Sequence, residues 1–151
     1  MLGPSVVELK VAEGRPGRFL FFRLEAGSDL LASIRELTLS EGVKAGLLAC
    51  IGGLERARMG FYVGSGQYEA IEVEGPLELL SCLGNISEGP DGELIIHAHI
   101  CVSTRDGRAF GGHLLEGCVV RPTAELAVVE LVGARLRRAL DKATGLKLLV
   151  P

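Results

Sequence analysis

Short runs in which apolar and polar residues alternate recur along most of the chain, and glycine closes many of them. Ala57, Met59, Phe61 and Val63 alternate with Arg56, Arg58 and Tyr62, ahead of Gly64-Ser65-Gly66. Ile71 and Val73 then alternate with Glu72 and Glu74, ahead of Gly75-Pro76. A period of two places alternate side chains on opposite faces of a strand. The 21 glycines are scattered between apolar runs rather than gathered in one tract, which favours many strands joined by tight turns over a helical bundle.

Residues 6–11 read as a half-buried strand, Gly14-Arg15-Pro16-Gly17 as a hairpin turn, and 18–25 as a second strand. One helix is expected. Ser28 or Asp29 caps its start, Leu30, Leu31, Ile34 and Leu37 form its apolar stripe, and Gly42 closes it. Residues 43–51 suit a central strand broken by Gly52-Gly53, and residues 77–86 form another. Pro122 ends the following hairpin, and 126–132 is the last apolar strand. The tail, 134–142, carries Arg135, Arg137 and Arg138 on either a short helix or an extended arm; they read as a solvated cluster, the alternative being contact with phosphate or with acids across a subunit boundary. The sum predicts a single domain over residues 1–151, of α+β class: a twisted, mostly antiparallel sheet with one main flanking helix.

With 48% hydrophobic residues the chain can bury a core without staples. Cys50, Cys82, Cys101 and Cys118 are widely spaced, with no C-x-x-C pair, and read as buried reduced thiols of a cytoplasmic protein. Glu8 and Lys10 interrupt the early apolar stretch, so no secretion signal is expected, and no apolar run approaches the roughly 20 residues of a membrane span. A net charge of −3 argues against a surface that grips nucleic acid by charge alone.

All three histidines fall in one short segment, as His97-Ala98-His99 and Gly111-Gly112-His113. Residues 94–102 read as a strand, so His97 and His99 share a face. A three-residue loop, Arg105-Asp106-Gly107, with glycine in the left-handed conformation, pairs Thr104 with Arg108 and sets His113 opposite His99. A two-residue turn would place His113 on the other face, and a bulge at Gly111-Gly112 would alter the register. Three imidazoles on one face fit a divalent metal, zinc above all, with an open fourth position. Cys101 is a candidate fourth ligand by alternation, Glu116 a weaker one, and Glu78 a group that could orient a neighbour of the metal.

The chain resembles the plants-and-prokaryotes-conserved (PPC) domain family from about Gly17 to Leu149. The landmarks are Gly17-Arg18-Phe19, Gly27-Ser28-Asp29-Leu30-Leu31, Glu41-Gly42-Val43, Gly52-Gly53-Leu54, Glu78-Leu79-Leu80-Ser81 and Gly84-Asn85-Ile86. The histidine strand, Asp106-Gly107, Gly111-Gly112-His113-Leu114 and Thr144-Gly145-Leu146 complete the set. The resemblance implies a twisted antiparallel sheet with a flanking helix, a homotrimer, and a metal held by His97, His99 and His113, as in prokaryotic stand-alone members. It also brings an association with DNA and transcriptional regulation, drawn from plant members in which an AT-hook grips the minor groove. Here Glu13-Gly14-Arg15-Pro16 carries a glutamate where a hook needs its first arginine.

Two functions follow, beside a purely structural reading in which the metal ties subunits or strands together. The first is a metal-binding homotrimer with a regulatory or DNA-associated role, open to an unknown small-molecule ligand. The second is a metal-dependent enzyme of hydrolase or lyase type, for which the catalytic residues are not identified beyond the three-histidine site.

Overall fold

The computed structural model describes residues 9–151. Strand β1 spans Arg15–Glu25 and is followed by helix α1, Leu30–Ser40. Two long strands follow, β2 (Gly46–Gly64) and β3 (Gln67–Glu88). The histidine hairpin is β4 (Leu94–Ser103) and β5 (Ala109–Leu114), and β6 is Val119–Val132. A short terminal hairpin, β7 (Arg137–Leu140) and β8 (Lys147–Val150), completes the chain.

The α+β expectation is overturned. Strands hold 64% of the described residues against 8% in helix, and the sheet closes into a barrel. Closure arises because β2 pairs with β3 on one edge and with β5 on the other, while β4 bridges β3 and β5. The ring β2–β5–β4–β3 thus returns to its own start. A closed sheet buries its inner face against itself, so the helix is an accessory rather than a second layer. The inner face carries Leu48, Cys50, Leu54, Met59, Leu79 and Ile100, all nearly inaccessible.

Two glycine-marked breaks are not breaks. Strand β2 runs straight through Gly52-Gly53, with register shifts between Cys50 and Gly52 and between Leu54 and Arg56. Gly52 has a φ of 147°, which an L side chain rarely adopts, and it lets one long strand bend and serve two sides of the barrel. Strand β3 likewise passes through Gly75-Pro76, and β6 through Pro122. Arg15 to Gly17 lie in β1, paired with β6, rather than in a hairpin turn. Of the early strand expected over 6–11, residues 6–8 lie outside the described residues, and 9–11 are not in a strand. The arginine tail is extended rather than helical, and is paired in a sheet: Arg137 and Arg138 belong to β7.

The helix is as expected. Leu30, Leu31 and Ile34 are buried and face β4 and β6; full burial of such a side chain stabilises by roughly 1.5–3 kcal/mol. Asp29 caps its start: Oδ1 accepts from the Ala32 amide at 2.9 Å, and Oδ2 accepts from the Gly117 amide at 2.6 Å. The same carboxylate therefore caps the helix and ties it to the loop entering β6. Asp29→Ala is expected to lower stability by about 1–3 kcal/mol, since it removes the cap and orphans a loop amide. Urea unfolding checks this, and an unshifted midpoint would show that the carboxylate contributes nothing.

Candidate metal centre

The histidines are placed by the hairpin loop. The Thr104 amide donates to the Arg108 carbonyl at 3.0 Å, and the Gly107 amide donates to the Thr104 carbonyl at 2.9 Å. Gly107 takes a φ of 81°, as the three-residue loop requires. The pairing then runs without a shift from Ser103↔Ala109 to His99↔His113, so Gly111-Gly112 conceals no bulge. Ala98 and Ile100 point into the core, while His97 and His99 face outward. The expected register is the observed one.

Each of His97, His99 and His113 offers a ring nitrogen, and these nitrogens lie within 4.8 Å of one another. The ring centroids are 5.2–5.5 Å apart. Zinc bonds of ~2.0–2.1 Å need nitrogens separated by about 3.4 Å, within reach of this spacing. His99 is exposed, whereas His97 and His113 are half-buried. Neither candidate fourth ligand, Cys101 or Glu116, joins them, nor does Glu78, the expected orienting group. Cys101 lies outside the cluster, opposite Gly111. Glu116 is exposed and ion-paired with Arg35 at 3.2 Å, and Glu78 is an exposed residue opposite Ser103.

The terminal hairpin covers one side of the site. Tyr62 Oη donates to the Thr144 carbonyl at 2.7 Å, tying the β7–β8 turn to β2. Between this hairpin and the histidines lies a cavity of about 190 Å³, walled by His97, His113, Tyr68, Ile95, Leu146 and Arg138, among others. The Tyr68 and His113 rings are 4.8 Å apart. Arg138, expected to be solvated, is 8% exposed. Its guanidinium donates to Ser87 Oγ, Asn85 Oδ1 and the Lys147 carbonyl at 2.7–2.9 Å. The sequence singled out Arg138 only as one of three tail arginines, and did not place it, or Tyr68, at the histidines. The only signal was the spacing that places Arg138 and Ala139 on opposite faces of a strand, and the tail was not read as one.

Burial and nearby positive charge favour the neutral rings of His97 and His113. Burial, with the positive charges of His97, His99 and Arg138 adding to it, lowers the pKa of His113 to about 4. Burial, with Arg138 and His99, also lowers that of His97. His113 Nδ1 is buried with no hydrogen-bond partner. A buried, unpartnered nitrogen on a neutral ring is costly unless something accepts its lone pair, and a metal ion does so. The donor set therefore fits the group.

In the metal-free chain the His113 shift gives stability a pH dependence of definite sign. The unfolded imidazole titrates near 6.5 and the folded one near 4. The unfolded state thus binds more protons between these values. The contribution is complete above about pH 6.5 and is lost as pH falls through 4. Urea midpoints measured from pH 7.5 to 4 should fall over this window, and less steeply in His113→Gln; parallel profiles for the two chains would refute the assignment.

Comparison with known proteins accords with this geometry. The family model described as the Plants and Prokaryotes Conserved (PCC) domain matches residues 11–132. The chain is similar to the metal-containing protein AF0104 of Archaeoglobus fulgidus: 34% identity, TM-score 0.85, covering 95% of this chain and 100% of that one. A plant- and prokaryote-conserved protein of Pyrococcus horikoshii is also 34% identical, with TM-score 0.84, over 92% of this chain and 95% of that one. A proposed DNA-binding protein of Ralstonia eutropha JMP134 is 26% identical, with TM-score 0.76, over 87% and 90%. The bifunctional protein GlmU of Synechococcus sp. (strain JA-3-3Ab) is 32% identical over 124 residues, which is 82% of this chain but only 19% of that protein. Among the described residues, no helix is long and apolar enough to cross a membrane. The matched family span, the barrel and the ordered motifs around the histidine hairpin agree: the chain belongs to the plants-and-prokaryotes-conserved domain family.

Proposed function

We propose that this chain is a metal-binding homotrimer whose site, formed by His97, His99 and His113, holds a divalent ion, zinc by preference, for a regulatory or ligand-binding role. The observation that carries the reading is the convergence of three ring nitrogens within 4.8 Å, beside which His113 Nδ1 is buried without a hydrogen-bond partner. The A. fulgidus relative is described as metal-containing, which supports it. With three protein ligands the ion would keep an open position, and when bound it supplies Lewis acidity and a water acidified to a pKa of about 7. His97 and His113 offer neutral donors, while the terminal hairpin shields one side of the site.

Self-association has support on the outer sheet face. Phe21, Ala127, Ala49 and Leu83 align across β1, β6, β2 and β3, and this row runs on to His99. Phe19 is 64% exposed and Phe21 75%, with Leu47 and Leu83 also exposed around them. An apolar face of this kind suits burial against further copies; the number three comes from the family resemblance.

A role in DNA binding draws on the family association and the R. eutropha relative. It is opposed by the net charge of −3 and by Arg15's place in β1, paired with Val132. The enzyme reading is favoured by the cavity beside the histidines, but no carboxylate is among the residues lining it. Without a carboxylate beside the histidines to serve as general base, the enzyme stands second.

Elemental mass spectrometry on tag-free protein is expected to find about one metal per chain, abolished in the His97→Ala, His99→Ala double variant. Metal content unchanged in that variant would remove the site. Solution mass is expected to correspond to three chains and to fall in Phe21→Glu, Leu83→Glu; a monomeric wild type would end the self-association reading. Gel shifts with duplex DNA at low salt are expected to show weak binding or none.

A further inference from the structure

Arg138 is a buried cation without a counter-charge. Among the described residues no carboxylate pairs with it: its partners are a serine hydroxyl, an asparagine amide oxygen and a backbone carbonyl, all neutral. Glu88, the acid paired in register with β7, is taken by Arg135 at 2.9 Å, and the Lys147 ammonium turns away to Glu93. The other polar or charged residues lining the cavity are His97, His113, Tyr68 and Lys147, none of them a carboxylate. A guanidinium has five N–H donors, and three are used, so two remain. Burial depresses the Arg138 pKa, consistent with a charge the protein leaves uncompensated. Buried charges are normally paired. A divalent ion on the histidines would deepen the local excess of positive charge.

We propose that the cavity between the three histidines and the β7–β8 hairpin is an oxyanion site, in which Arg138 holds the carboxylate or phosphate group of a small molecule beside the metal position. Its volume, about 190 Å³, lies below the ~300 Å³ at which sites for drug-sized ligands begin, so the ligand is small. Tyr68, Ile95 and Leu146 give the remainder of that ligand apolar walls. Arginine suits the task because its fork presents paired donors to either group. Metal and anion each relieve the other's repulsive surroundings, so each strengthens the other's binding, and by linkage the two effects are equal. This coupling rests on the three-histidine reading; anion binding by Arg138 does not.

Calorimetric titration of the full chain with inorganic phosphate and, separately, with acetate tests the site, in metal-free and zinc-loaded protein against a chloride background. Saturable binding is expected in the metal-free chain, about tenfold tighter after zinc loading. Arg138→Gln is expected to weaken it by about tenfold or more. Leu146→Trp, which plugs the cavity and leaves the Arg138 hydrogen bonds in place, is expected to do the same, and it carries the test if Arg138→Gln does not fold. Tighter binding of phosphate than of acetate assigns the phosphate class, and the reverse the carboxylate class. No saturable binding in either form, or equal binding by the wild type and the folded variants, overturns the proposal. Arg138-dependent phosphate binding in a chain that takes up no zinc would uphold the anion site and sink the metal reading. Zinc uptake without anion binding would sink the anion site alone.

Discussion

Strands β2 and β3 pair along nearly their full lengths, from Gly46↔Ile86 to Gly64↔Gln67. Each then has one edge left, and that edge is shared among partners that arrive later in the chain. The free edge of β2 takes β6 over its first half and β5 further on, while that of β3 takes β4. Because β4 and β5 are themselves a hairpin, pairing one with β3 and the other with β2 leaves the sheet no choice but to close. The bend at Gly52 permits it. Once closed, the barrel has an inner face filled by aliphatic side chains and an outer face free for other work.

The histidines are on that outer face. Metal-ligating side chains aimed into the aliphatic interior would have to displace core packing, whereas here they stand on a rigid wall and are covered from above. The β7–β8 hairpin provides the cover, anchored by the Tyr62–Thr144 hydrogen bond and by the Arg138 bonds to Asn85 and Ser87. It desolvates His97 and His113 without burying His99. Partial cover gives His97 and His113 their depressed basicity, leaves His99 open to solvent, and brings a cation, rather than the more usual carboxylate, close to a prospective metal. An uncompensated positive site of this kind is organised around a negative ligand.

Local signals were legible where the governing interaction is itself local. Asp29 as the helix cap, the helical stripe of Leu30, Leu31 and Ile34, and the Gly107 loop that sets His113 opposite His99 were all readable, because each depends on residues a few positions apart. Glycine and proline misled where the effect is long-range. Gly52-Gly53, Gly75-Pro76 and Pro122 look like strand ends, yet the strands continue, since neighbouring strands supply the pairing that local propensity withholds. The α+β reading failed for the same reason: one clear helix was given the role of a second layer, and nothing in the residue pattern announces that a sheet will meet its own edge.

The sequence by itself determined the strand alternation, the capped helix, the family, and the common face of the three histidines, because periodicity and turn chemistry act over a few residues. Tertiary structure alone decided that the sheet closes, that Cys101, Glu78 and Glu116 stay outside the cluster, and that Arg138 is buried over the site rather than solvated. These depend on which strand edges meet and on how the terminal hairpin folds back. Both are settled by contacts between residues dozens of positions apart, where burial outweighs local preference.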